Sequence, residues 1–332
     1  MTDASDTQTF RPEARAPRGF ADKRARDLRA ERAILEAVSA VYERHGFEAL
    51  DTGAFEYADA LGKFLPDADR PNAGVFALQD DDEQWMALRY DLTAPLARFA
   101  AQNWETLPKP FRRYAFGPVW RNEKPGPGRF REFLQCDADT VGSARPEADA
   151  EIIAMAVEGL EAAGLPRGAA VVKVSNRKLL NSVLTSAGVT SAKQTLAVLR
   201  AVDKFDKFGV EGVTLLLGKG RKDESGDITQ GAGLVANQID VLIEFITSRS
   251  VTRAETVRKL ANSTGMTRSG AQGVAELGEI DAILNALVVY RTSDGQAAIE
   301  RHHISVAGRV GFVAQFAGAI RLDRRRDFER LQ

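Results

Sequence analysis

The sequence predicts an α+β protein: a sheet built from hairpins, flanked by helices, then a helical segment. Three observations predict it. Residues 111–120 mix large apolar and aromatic side chains as a strand does, and residues 129–135 alternate again after the turn Pro125-Gly126-Pro127-Gly128. Up to about residue 185, apolar side chains at helical spacing alternate with short strand-like runs. Beyond it, short helical segments (193–210, 233–247, 253–264, 271–289) alternate with polar turns.

In order, residues 1–17 are polar and without apolar periodicity, and read as a flexible N-terminus. Residues 22–44 carry Ala25, Leu28, Ile34, Leu35, Val38, Val41 and Tyr42 at helical spacing. His45-Gly46 stops that helix, with glycine as the left-handed cap. His45 reads as a helix-end histidine with no ligand role. A short strand follows, Gly46-Phe47-Glu48-Ala49-Leu50. Residues 75–78 and 85–90 bracket an acidic connection and form a second hairpin. Asp91 then stands before Leu92, Thr93, Ala94 and Pro95. It can accept from the following amides as an N-cap, and Pro95 suits a first helical turn. Residues 146–164 read as a helix and 169–174 as a strand. Ser175-Asn176-Arg177 opens another helix with a good cap.

The hairpin at 111–139 carries the chemistry. On a period of two, Arg129, Arg131, Phe133, Gln135, Asp137 and Asp139 share one face. Phe130, Glu132, Leu134, Cys136 and Ala138 share the other. Guanidinium groups, an aromatic ring, an amide and carboxylates on one sheet face suit a ligand with phosphates, a flat base and an amine. Plainer roles stand beside these: Arg121 as an ion-pair partner of Glu123, Phe133 as core, Asp91 as a cap alone. Cys136 falls on the rear face and reads as packing.

Composition sets the bounds. The chain has 332 residues, 45 Lys and Arg against 46 Asp and Glu, and net charge −1, which argues neither for nor against a nucleic-acid partner. One cysteine excludes an intramolecular disulfide and a cysteine-based zinc site. No apolar run approaches the roughly 18 residues of a membrane span, and no signal-peptide core is present, so the chain reads as cytoplasmic with no membrane partner. Gly218-Lys219-Gly220-Arg221-Lys222 lacks the spacing and the Ser/Thr of a Walker loop and reads as a solvated basic turn. His302-His303 lacks a third ligand, and no metal site is expected.

The run Val119-Trp120-Arg121-Asn122-Glu123-Lys124-Pro125-Gly126-Pro127-Gly128-Arg129-Phe130-Arg131, through Asp139, closely resembles motif 2 of class II aminoacyl-tRNA synthetases, specifically the histidyl-tRNA synthetase family. The first helix and strand resemble motif 1, which builds a dimer interface in that class. Gly53 stands where the family has proline. Arg89-Tyr90-Asp91-Leu92-Thr93 and Val174-Ser175-Asn176-Arg177-Lys178 also resemble the family. Glu132 and Cys136 depart from it on the rear face.

The resemblance implies a class II antiparallel sheet in a catalytic core at 18–185, and a helical insertion at 186–290 facing tRNA. It implies ATP-dependent activation of histidine to histidyl-adenylate, with Mg2+ bound alongside ATP, and transfer to tRNA(His) by a homodimer. Arg121 is the implied catalytic residue. Asp91, Leu92, Thr93, Arg121, Gln135 and Asp139 are the implied histidine contacts. Arg121, Glu123, Arg129 and Phe133 are the implied ATP contacts.

Past Leu287 the family pattern is lost. Neither a second arginine motif nor motif 3 is found, and Arg309 is no substitute. The expectation is an atypical tail at 291–332, no anticodon-binding domain, a shortened or frame-altered product and, with it, doubt over activity. A different class is kept open: a non-catalytic paralogue serving as regulatory subunit of ATP phosphoribosyltransferase.

Overall fold

The computed structural model describes residues 13–64, 74–291 except 168, 171, 223–227, 249, 251 and 264, and the pair 305–306. The expectations placed on residues 1–12, on His302-His303, on Arg309 and on most of the tail lie outside these.

The first helix, α1 (Ala25–Arg44), buries Val38, Val41 and Tyr42, the three- and four-residue spacing that puts side chains on one face. It stops where expected: Gly46 has φ 73°, a left-handed position that glycine adopts without strain. His45 is better connected than its sequence suggests. Its Nε2 lies 3.3 Å from Glu158 and its Nδ1 3.5 Å from Glu151. Both glutamates belong to α3 (Pro146–Ala162), so His45 ties α1 to α3.

The central sheet has the order β1-β5-β6. The long strands β5 (Phe111–Trp120) and β6 (Glu132–Val141) are antiparallel and paired throughout, from Phe111 opposite Val141 to Trp120 opposite Glu132. The short β1 (Glu48–Ala49) joins β5 in parallel. The rear face of the hairpin packs on helices. Tyr114 and Ala138 meet Val38 and Tyr42 of α1 and Ile152 and Met155 of α3, with Phe116 against them. Large apolar side chains such as Ile152 and Met155 contribute roughly 1.5–3 kcal/mol each when fully buried.

A second, antiparallel sheet has the order β2-β4-β3: β2 (Phe55–Tyr57), β4 (Trp85–Leu88) and β3 (Ala77–Gln79). A 3-10 turn, Ala58–Phe64, follows β2 along the chain. Helix α2 (Thr93–Asn103) follows β4. The two sheets are joined by Arg89, only 4% exposed. Its Nε donates to the Pro118 carbonyl at 3.0 Å and its Nη1 to the Thr52 carbonyl at 2.7 Å. Gly117 makes room for it: a Cβ there would stand 2.2 Å from Arg89 Nη2.

After β7 (Lys173–Val174), shorter than the strand expected at 169–174, the chain is mainly helical. Helix α4 (Arg177–Ser186) is capped by Asn176, whose side chain accepts from Lys178 N. The segment expected as one helix at 193–210 is two, α5 (Ala192–Val202) and α6 (Phe205–Leu217). The second is itself kinked at Gly209, where φ is 63°. The basic stretch at 218–222 is a turn only at Gly218 and Lys219; the rest is corrected to a strand, β8 (Gly220–Lys222), which pairs with β9 (Ile228–Gln230). Its backbone satisfies its own hydrogen bonds in that pairing. Then come α7 (Ala236–Ile246), α8 (Arg253–Ala261) and α9 (Arg268–Arg291). Leu179 and Leu184 of α4 join Val198, Val213, Leu217, Leu242 and Leu277 in one core. Helix α9 also reaches back to α3, where Ile280 and Leu284 pack on Ala150 and Ile153. The two-residue β10 (Ser305–Val306) runs parallel to β7.

Candidate active site

The front face of the β5–β6 hairpin is the candidate site. Register places Val119 opposite Phe133, Gly117 opposite Gln135, Ala115 opposite Asp137 and Arg113 opposite Asp139. The period-two assignment of Phe133, Gln135, Asp137 and Asp139 to one face therefore stands. The same assignment for Arg129 and Arg131 is corrected. Strand β6 begins only at Glu132, because Gly126 and Arg129 close a tight turn by exchanging backbone hydrogen bonds of 3.2 and 2.9 Å. Arg131 is tied down: its amide donates to the Gly19 carbonyl at 2.7 Å and its Nε to the Glu123 carbonyl at 2.9 Å. Arg129 is exposed in the loop.

Arg121 sits just past the end of β5. Its guanidinium lies 4.4 Å from the Tyr90 ring centroid and 5.0 Å from that of Phe133. Two aromatic faces hold a planar cation by its weak hydration and the ring quadrupoles. Arg121 is not ion-paired with Glu123 among the described residues; Glu123 instead accepts from the Tyr90 hydroxyl at 3.0 Å. Burial and that hydrogen bond push the Tyr90 phenol up. Phe133 also touches the small cluster of Leu92, Ala115 and Val119, so it serves as core with its remaining face on the site.

Asp91 caps α2. One carboxylate oxygen accepts from Thr93 N at 3.1 Å and Ala94 N at 2.8 Å. The backbone of Asp91, Leu92 and Thr93 is thereby fixed beside the hairpin. The Leu92 side chain is buried in the core, so only its backbone faces the polar groups.

Beneath these lies a group that sequence reasoning missed. Arg113 is 1% exposed. Its Nη2 lies 2.8 Å from an Asp139 oxygen and donates to the Leu92 carbonyl at 2.8 Å. One side chain thus joins the Asp91–Thr93 turn to β6. The available signal was an arginine at a front-face position in a largely apolar strand. Asp137 is buried too, and burial with the nearby Asp139 charge pushes its carboxyl up to about 7, against the pull of Arg113. Burial also raises Asp139, opposed by Arg113. On the rear face Cys136 is buried and its thiol is pushed up to about 12, by burial first. That makes it a poor nucleophile.

No three His, Cys, Asp or Glu side chains gather in a metal-ligand arrangement among the described residues. Nor is any described helix long and apolar enough to cross a membrane.

A two-strand antiparallel hairpin with helices behind, an arginine at the end of its first strand and carboxylates along its second defines the core of a class II aminoacyl-tRNA synthetase. Solved structures agree. Histidyl-tRNA synthetase from Nostoc sp. PCC 7120 superposes with a TM-score of 0.67 at 26% identity, covering 83% of this chain and 59% of that one. A Bacillus halodurans protein described as an ATP phosphoribosyltransferase regulatory subunit/histidyl-tRNA synthetase shares the fold, with a TM-score of 0.66 at 20% identity over 83% of this chain and 66% of that one. The family model for histidyl-tRNA synthetase matches residues 19–211. The histidine–tRNA ligase of Caulobacter vibrioides is 74% identical over 301 residues, 90% of this chain and 60% of that protein. That of Cereibacter sphaeroides is 54% identical over 289 residues, 85% of this chain and 58% of that protein. The chain belongs to the histidyl-tRNA synthetase family. It spans about 60% of the length of these curated relatives.

Proposed function

We propose that the chain binds histidine and ATP and catalyses formation of histidyl-adenylate, the first half of histidine–tRNA ligation. The observation that carries this reading is Arg121, held between Tyr90 and Phe133 at the mouth of a face lined by Asp91, Gln135 and Asp139. In the reaction a histidine carboxylate oxygen attacks the α-phosphorus of ATP. The bond from that phosphorus to the bridging oxygen breaks, and pyrophosphate leaves. Arg121 neutralises charge that builds on the phosphorus oxygens, as a preorganised donor that needs no reorientation. Phe133 is the platform for the base. Glu123 and the loop residue Arg129 hold the adenine and the outer phosphates. Asp91, the Leu92 backbone and Thr93 hold the α-ammonium end, and Gln135 and Asp139 the ring end. Mg2+ bound to the ATP phosphates would supply further charge neutralisation there.

The acyl group then passes to tRNA(His), which the helices after β7 would receive. A second copy of the chain covers the sheet face on which Phe55, Tyr57 and Leu78 stand exposed at 44%, 56% and 43%. The regulatory-subunit alternative finds no residue that favours it: its support is a shared fold. The test is histidine-dependent ATP–pyrophosphate exchange on the purified chain beside Arg121→Ala. Exchange that falls about 100-fold or more in the variant supports the reading, on the scale of losing one electrostatic donor. Undiminished exchange in the variant removes Arg121 from the mechanism.

A further inference from the structure

The β5–β6 ladder ends at Trp120 opposite Glu132, and the backbone of 121–131 has to be held by other means. Arg131 holds it. Its carbonyl accepts from the Arg121 amide at 2.8 Å, and its Nε donates to the Glu123 carbonyl at 2.9 Å. The two residues assigned above to the phosphates and the adenine thus take their backbone positions from one arginine. Arg131 is in turn fixed from outside the hairpin. Its amide donates to the Gly19 carbonyl at 2.7 Å, and its guanidinium lies 5.9 Å from the Phe76 ring centroid.

The segment Pro17-Arg18-Gly19-Phe20 is shaped to meet it. Phe20 N donates to the Pro17 carbonyl at 3.0 Å, closing a tight turn, and Gly19 in its third position has φ 86°. A positive φ at that position of a turn calls for glycine. The approach is also close. A Cβ on Gly19 would stand 2.9 Å from Arg131 Cγ, 3.0 Å from its Cδ and 3.1 Å from Pro125 Cβ. The bond from Nε to Glu123 holds Cγ and Cδ, so they give way only by moving it. The Phe20 ring packs on Phe76, centroids 5.9 Å apart, and so shares an anchor with Arg131. Pro17 and Arg18 are exposed and Gly19 and Phe20 half-buried, so the turn contributes little to a core.

We infer that the turn at 17–20 is a positioning strap for adenylate formation: Gly19 fixes Arg131, and through it the backbone of Arg121 and Glu123, so that the Arg121 guanidinium meets the α-phosphate in the transition state. This rests on the role given to Arg121 above. Tyr90 and Phe133 hold the plane of the guanidinium, and the Arg131 carbonyl holds the backbone from which it reaches. A donor that acts as charge develops raises kcat, and displacing it by about 1 Å can cost about 100-fold. Asp91 and Asp139 are tied by their own bonds, to the α2 amides and to Arg113, so the strap leaves the histidine end in place.

The test is histidine-dependent ATP–pyrophosphate exchange on the chain, Gly19→Ala, Phe20→Ala and Phe20→Leu, with ATP and histidine varied separately. Each protein is also titrated with histidine by calorimetry and unfolded by heat. Gly19→Ala should lower kcat about 10- to 100-fold and change the KM for ATP by about threefold or less, with histidine Kd and Tm close to the parent's. Phe20→Ala loosens the strap without entering the loop and should give a smaller loss of kcat. Phe20→Leu keeps an apolar contact with Phe76 and should regain most of it. A folded Gly19→Ala with the parent's kcat overturns the inference. So does a Gly19→Ala in which kcat, histidine affinity and Tm fall together, the mark of a structural role alone. Where Gly19→Ala does not fold, the Phe20 pair decides: parent exchange in Phe20→Ala overturns the strap, and a loss that leucine restores upholds it. A parent chain without exchange fails the reading of the site, and the strap with it. Parent exchange that Gly19→Ala and Phe20→Ala both leave intact fails the strap alone.

Discussion

Asp137→Asn should make the ligand-free protein more stable, and increasingly so as pH rises. The carboxyl titrates at about 7 in the fold against an ordinary 3.8, with burial as the main cause. The native state therefore holds this proton more tightly than the unfolded chain does. Stability is lost as pH rises from about 3.8 to about 7, and the full loss persists above. At 1.36 kcal/mol per unit, the ionised carboxylate costs about 4 kcal/mol above pH 7 and under half of that at pH 5. Asparagine has the same shape and no charge, so it avoids this loss. Urea denaturation at pH 5 and pH 8 is the assay. The stability gain of the variant over the parent should grow by about 2–3 kcal/mol between the two. A gain that is equal at both pH values, or a variant less stable at pH 8, would refute the reasoning.

Three further outcomes are expected. Arg113→Met strips the buried partner of Asp139 and the donor to the Leu92 carbonyl, and should lower stability by about 3–5 kcal/mol at pH 8, read by thermal unfolding; less is lost at pH 5, where the carboxyls can protonate. Gly117→Ala puts a Cβ 2.2 Å from Arg89 Nη2 and should cost about 1–3 kcal/mol by shifting the guanidinium, whose Nη1 donates to the Thr52 carbonyl, while Ala115→Gly, which crowds nothing, serves as the comparison. Phe133→Ala removes the platform for the base and one of the two rings that hold Arg121, and should weaken ATP binding roughly tenfold in a filter or calorimetric assay, with a smaller loss for histidine.

Much of this was legible in the residues. The period-two face of β6 holds from Phe133 to Asp139 because a strand's side-chain alternation depends on nothing beyond the backbone. The caps at Asp91 and Asn176 are likewise local, a carboxylate or amide meeting amides two and three residues on. The start of β6 was misplaced because the Gly126–Arg129 turn and the Gly19 carbonyl, over a hundred residues away, take up the backbone groups of Arg129 and Arg131. The helix at 193–210 divides, with a turn after Val202 and a positive φ at Gly209 that apolar spacing does not report.

Arg121 and Asp139 could be picked out by type and order alone, since phosphate and amine chemistry dictates which side chains suit them. What surrounds them could not. That Tyr90 and Phe133 flank Arg121, that Arg113 joins Asp139 to the Leu92 carbonyl, and that Asp137 has no partner depend on two strands and a turn brought together from distant parts of the chain. The residues themselves determined the family, the helices up to α4 and the face of the hairpin that carries the chemistry. Only the tertiary structure decided which charges are buried and which are paired. Burial and pairing are set by what packs above a strand, and the alternation along that strand is the same whether its face is packed or open.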